Sequence, residues 1–165
     1  MILHVTDGKP TDQWFPWLKG ELEDNGYQVF VPLLPQNHTT NRRIYEKFLR
    51  ESEWDFSDNV IIGHSSGATT ILNLLSVDWF PKQKAVVLVG TFLNEKLTQN
   101  ADWVEEGQFK DLFRKEYDPK VIKSKAESFI FVHGSDDPYC DIDDARQLCE
   151  CIGGEIVIVN NGHQF

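Results

Sequence analysis

Asn59–Ala68 reads NVIIGHSSGA. Its first five residues, NVIIG, are a continuous apolar run of the kind that a parallel sheet buries on both faces. Gly63-His64-Ser65-Ser66-Gly67 follows without a gap, and Ala68–Val77 has the pattern of a helix. A G-x-S-x-G string alone occurs by chance. Set between a buried strand and a helix, it describes a sharp turn that lifts a serine to the edge of a sheet. The turn explains its own residue types. The central residue occupies a strained backbone position, so its neighbours must be small. The N–H groups at the helix start then face any negative charge that develops beside Ser65. A serine capping a helix between two turn glycines is the plainer alternative, and the segments on either side disfavour it.

Outward from this turn the chain alternates short β-branched runs with amphipathic stretches. Strands are expected at Met1–Val5, Tyr27–Leu33, Lys84–Gly90, Ser128–Gly134 and Glu155–Asn160, besides NVIIG itself. Pro32 predicts the end of the second of these. Trp14, Trp17, Leu18 and Leu22 fall at helical spacing, which predicts a helix over Trp14–Asn25 that stops at Asn25-Gly26. Further helices are expected at Asn41–Glu51 and Ile142–Cys151, the latter ended by Gly153-Gly154. The fold class is therefore α/β, a doubly wound, mostly parallel sheet with helices on both faces, in one domain over 1–165. The rhythm breaks over Thr91–Ala126, a long polar stretch with a short helix opening at Asp118-Pro119. Residues 91–126 are the expected place for a lid-like insertion.

Composition narrows the classes. The 165 residues carry 16 Lys and Arg against 26 Asp and Glu, a net charge of −10. Such a surface repels phosphate backbones and anionic lipid, so neither nucleic acid nor a membrane is an expected partner. No uncharged apolar run is long enough for a membrane span, and the first ten residues lack the pattern of a secretory signal. Cys140, Cys149 and Cys151 are an odd set with no CxxC pair or spaced His/Cys group. They suit a reducing cytoplasm better than a disulfide framework or a metal centre, so no metal site is expected.

A serine needs a base and an orienter before it is a useful nucleophile. In a sheet of this kind the expected chain order is Ser, then an acid, then His, each just after a strand. SFIFVHG is followed by Ser135-Asp136-Asp137-Pro138, and EIVIVN by Asn161-Gly162-His163. Ser65, Asp137 and His163 are thus the candidate catalytic set. Asp137 is preferred to Asp136 because Pro138 fixes the turn behind it. His64 is expected to point away from the hydroxyl, His133 to be structural, His38 to be solvated, and His4 to be able to line the site. The oxyanion donors would be the backbone N–H groups of Ser66 and of Thr6 or Asp7. Trp103, Phe109 and Phe113 are as apt to wall an acyl pocket as to pack. Trp14 and Trp17 are expected to pack.

GHSSGA, the strand-GSDDP segment, the terminal NGHQF and the early WFPWLKGELEDNGY together resemble the small serine hydrolases of the retinoblastoma-binding protein 9 type. The resemblance runs through essentially the whole chain. It implies a compact α/β-hydrolase with a minimal cap and Ser65, Asp137 and His163 as the triad. It also implies cofactor-free hydrolysis of small ester, activated acyl or amide substrates. On its alignment Thr6 supplies the second oxyanion N–H, and Val5 stands where the family carries glycine. The family's final helix is missing after His163, so an apolar face of the sheet is expected to be exposed and to favour self-association. A protein-binding module built on a weak or inactive hydrolase scaffold is the alternative expectation.

Overall fold

The computed structural model describes residues 1–96, 104–160 and 162–163. Five strands lie parallel in sequential order: β1 (Ile2–Leu3), β2 (Val60–His64), β3 (Ala85–Val89), β4 (Phe129–Gly134) and β5 (Glu155–Val159). The helices are α1 (Phe15–Asp24), α2 (Arg42–Arg50), α3 (Ser66–Leu75), α4 (Pro119–Ser124) and α5 (Ile142–Ile152). Side chains provide several helix starts. Asn41, Asp118 and Asp141 accept hydrogen bonds from the first N–H groups of α2, α4 and α5. Gly153, at φ 74°, turns the chain out of α5.

Register tells which residues share a face, since partnered residues point the same way and side chains alternate along a strand. Leu3, Gly63, Leu88 and Phe131 align across β1–β4, with Ile61, Val86 and Phe129 beside them. All seven are buried. α3 packs on β1, β2 and β3 and α5 on β4 and β5, with α4 touching both helices. Every residue of α3 is buried, so the helix behind the serine turn is the central element of the core. α1 serves the other face, where Phe15 meets the ring of His64 and Leu22 lines a hollow with Ile2 and Ile62. Farther along that face Val87, Ile130 and Val132 are only half-buried, and Val157 is 46% exposed. Among the described residues no helix is long and apolar enough to cross a membrane.

Four expectations need correction. Tyr27–Leu33 is not a strand. It runs extended beside β1, which is itself only two residues long, and the described ladder between them is a single bond from Ile2 N to Phe30 O, 2.9 Å. Pro32 can donate nothing, so the ladder does not extend. The helix after the serine begins at Ser66, two residues earlier than the apolar run suggests. In α1 the buried residue is Phe15, whereas Trp17 is 65% exposed. Pro16 stands in the first turn, and the face turned inward is the one that carries Phe15 with the half-buried Leu18 and Leu22. His4 does not line the site: it is fully buried, with Nδ1 donating to Val5 O (2.8 Å) and Nε2 accepting from Leu34 N (2.9 Å).

Candidate active site

Ser65 follows β2 directly and precedes α3, at φ 56° and ψ −122°. This is backbone space that a side chain rarely adopts. Bonds on both sides hold it there. Ser65 N donates to Val89 O (2.8 Å), and Ser65 O accepts from Ala68 N (2.9 Å) and Thr69 N (3.2 Å). The glycines of the motif are steric requirements. A Cβ on Gly63 would stand 2.6 Å from the Gly67 carbonyl. One on Gly67 would stand 2.7 Å from His4 O and closer still to Leu3 O. The turn is therefore wedged between α3 and the end of β1. Ser66 N, the first N–H of α3, has no intrahelical carbonyl to serve. Thr6 reaches the same place, its Oγ1 donating to Ser66 Oγ at 2.9 Å.

The acid and the base come from the turns after β4 and β5. Asp137 Oδ2 lies 2.8 Å from His163 Nδ1. Asp137 Oδ1 accepts from Tyr139 N (2.8 Å) and Cys140 N (3.0 Å). Burial alone would raise the Asp137 pKa. The hydrogen bond and charge of His163, together with the two backbone N–H donors, outweigh it and hold the carboxyl below its ordinary range. Asp137 is thus an anion facing an Nδ1–H. The neighbouring Asp136 does separate work: its Oδ1 accepts from Gly162 N at 2.9 Å. Gly134 has no room for a side chain because the Gly162 carbonyl lies against it. One acid fixes the His163 ring and the other the backbone just before it.

Ser65 and His163 line one cleft of about 320 Å³ with Thr6, Gln13, His64 and Tyr139. Among the described residues no hydrogen bond joins Ser65 Oγ to His163. Bonds of this kind are often long without substrate and tighten when it binds. His64, which no signal in the sequence places beside the base, also lines this cleft. Its Nε2 lies 2.9 Å from His163 O and its Nδ1 3.1 Å from Gln13 Oε1. Burial, with the charge of His163, pushes its pKa down to about 4, so it is neutral near pH 7. Nothing in local spacing signals this contact, because 99 residues separate the partners.

The remaining candidates have other surroundings. His133 is fully buried, its Nε2 accepting from Thr91 N (3.1 Å), in keeping with a structural part. His38 is exposed between Asp7 and Glu105, whose carboxylates raise its pKa. Phe109 packs with Phe92, Leu112 and Cys140, and Phe113 leans on this cluster rather than walling the cleft. Trp14 lies over the ring of His64. Trp103 lies outside the described residues. Cys140, Cys149 and Cys151 are all free thiols. One group of potential metal donors occurs among the described residues: the ligand atoms of Asp137, Cys140 and His163 lie within 4.8 Å of one another.

Relatives share this architecture. YdeN of Bacillus subtilis (strain 168) is 25% identical over 173 residues, covering 99% of this chain and 84% of YdeN. The crystal structure of the B. subtilis ydeN gene product superposes with a TM-score of 0.82 at 21% identity, over 98% of this chain and 85% of that one. Est1E from Butyrivibrio proteoclasticus, solved with ferulic acid bound, gives a TM-score of 0.72 at 10% identity, over 99% and 80%. The fold is that of the α/β-hydrolases. The family model described as serine hydrolase matches residues 1–164, and this chain, a hydrolase, belongs to that family.

Proposed function

We propose that the protein cleaves small ester or activated acyl substrates through a Ser65–His163–Asp137 triad and an acyl-enzyme. One observation carries this reading. His163 is held at 2.8 Å by a buried carboxylate while its ring shares a cleft with Ser65 at the strained turn. With its proton fixed on Nδ1 by Asp137, His163 offers the lone pair of Nε2 to the cleft. It takes the Ser65 proton as Oγ attacks the acyl carbonyl, then gives it to the leaving oxygen. Asp137 stabilises the imidazolium formed in between. The Ser66 and Thr6 N–H groups face the developing oxyanion, each worth about 3 kcal/mol in the transition state. Water activated by the same Nε2 then releases the acid. These steps need no cofactor.

The size of the cleft supports small substrates, since it lies at the lower end of about 300–1,000 Å³ for ligand pockets. The WFPWL and GHSSG segments favour the retinoblastoma-binding protein 9 type within the family. Three free cysteines support a reducing, cytoplasmic setting. The test is a fluorophosphonate probe read by intact mass. A single adduct is expected on the folded protein and none on folded Ser65→Ala, with labelling strongly slowed in His163→Ala. A folded chain that does not label overturns the reading.

A further inference from the structure

We propose that Asp137, Cys140 and His163 form an inhibitory site for a thiophilic divalent cation, zinc by the chemistry of its donors, and that occupancy switches the hydrolase off. The inhibitory half rests on the catalytic role proposed for His163.

The geometry comes first. Cys140 Sγ lies 3.5 Å from His163 Nδ1, and Nδ1 lies 2.8 Å from Asp137 Oδ2. All three donor atoms fall within 4.8 Å of one another. A tetrahedral zinc with bonds of about 2.0–2.3 Å spaces its ligand atoms about 3.3–3.7 Å apart. The sulfur–nitrogen edge already has that length. The oxygen–nitrogen edge has to open by about half an ångström. Asp137 and Cys140 stand three apart in one turn, and that turn is tied to itself by the Cys140 N–Oδ1 bond. Two of the three ligands are therefore held together before any ion arrives. His163, 12% exposed at its side chain, opens the site to the cleft.

The donor set fits zinc. Thiolate, imidazole and carboxylate are the ligands this borderline-soft ion combines, whereas magnesium and calcium prefer oxygen alone. Charge also fits. Zinc (+2) with thiolate (−1), carboxylate (−1) and neutral imidazole makes a neutral group, which a largely buried site tolerates best. Three bonds form: Zn–Sγ, Zn–Nδ1 and Zn–Oδ2. The Cys140 proton goes to solvent, and the imidazole proton moves from Nδ1 to Nε2 by exchange with water. Nothing is oxidised or reduced. A fourth position stays open to water from the cleft.

Inhibition follows from the tautomer. Metallated at Nδ1, His163 carries its proton on Nε2 and cannot accept the one on Ser65. Asp137 loses the N–H it orients. The thiol now donates to Gly90 O at 3.0 Å, a bond that metal binding replaces. Cys140 also packs in an apolar cluster with Phe92, Phe109 and Leu112, so each of its variants is first checked for folding.

The test uses the full chain, reduced and freed of metal by chelation. Cobalt(II), a spectroscopic stand-in for zinc, should give thiolate-to-cobalt charge-transfer absorption at one ion per chain, and zinc should displace it. Cys151→Ser, which alters an exposed thiol, should keep the band. Cys140→Ala and Cys140→Val should lose it. Zinc should slow fluorophosphonate labelling of the wild type about tenfold or more, reversibly with chelator. Each Cys140 variant, measured against its own metal-free rate, should need about tenfold more zinc or above. A missing band, or one that survives in both Cys140 variants, overturns the site. A Cys140-dependent band without slowed labelling overturns the switch. Failure to label before zinc is added instead overturns the hydrolase reading, and the cobalt band still decides the site.

Discussion

Nε2 of His64 stands 2.9 Å from the carbonyl oxygen of His163, so the residue before the proposed nucleophile holds the backbone of the proposed base. His64 is neutral near pH 7, and a ring with one proton can donate from one nitrogen only. The bond to a carbonyl requires that proton on Nε2. Nδ1 is then an acceptor, and it pairs with Gln13 once the side-chain amide is turned over to present its NH₂ where Oε1 stands. The cleft thus contains a chain of polar contacts from Gln13 through His64 to His163.

Replacing His64 by Phe keeps the aromatic packing against Trp14 and Phe15 but deletes this bond. The expected result is a folded protein whose kcat/KM on a p-nitrophenyl ester falls about tenfold, the equivalent of one hydrogen bond. His64→Gln, which still donates, should retain more activity than His64→Phe. Equal activity in His64→Phe and the wild type would show that the bond does not position His163.

The two adjacent acids should separate cleanly. Asp137→Asn removes the anion beside His163 Nδ1 and is expected to cost about 10³–10⁴ in kcat, by analogy with the orienting acid of other triads. Asp136→Asn keeps an oxygen for Gly162 N and should cost little, while Asp136→Ala loses that bond and should cost about tenfold. Steady-state kinetics on the three variants, with circular dichroism to show folding, checks the order. A larger loss from Asp136→Ala than from Asp137→Asn would reverse the assignment.

The contrast between Asp137 and His64 shows what a sequence exposes. Ser65, Asp137 and His163 each come shortly after a strand of the parallel sheet, and parallel strands bring such positions to one edge, so topology alone gathers them. His64 and Cys140 carry no such signal, because their contacts with His163 cross between turns far apart in the chain. Gly63 and Gly67 were legible as small residues, although what they avoid, the ends of β1 and α3, is visible only in three dimensions. The segment 27–33 failed as a strand for a related reason. Its β-branched residues fit a sheet edge, but two residues of β1 cannot build a ladder with it.

Glycine substitutions should divide by surroundings. Gly67→Ala drives a methyl group into the backbone carbonyls of Leu3 and His4, which cannot yield as a side chain would. A loss of about 3 kcal/mol or more, or failure to fold, is expected. Gly20→Ala, in α1 with nothing within 4 Å of the new Cβ, should instead stabilise by about 0.5–1 kcal/mol. Chemical denaturation of both variants measures the difference. A tolerated Gly67→Ala would mean that the turn is less tightly wedged than described.

Stability should also fall in mild acid, with His133 as a main source. Burial pushes its pKa from 6.5 to about 4. The folded value lies below the unfolded one, so the unfolded chain takes up the proton first as pH drops. The stability from keeping this ring neutral is complete above about 6.5 and is lost progressively down to about 4, amounting to about 3 kcal/mol. The structural cause is specific. A proton on Nε2 would meet Thr91 N–H, which now donates to that nitrogen. His64, pushed to about 4 mainly by burial, and His4, lowered in the same direction, add to the trend. Urea unfolding across this window should show stability rising with pH, and His133→Gln should flatten the slope by about one proton. An unchanged slope in that variant would place the acid sensitivity elsewhere.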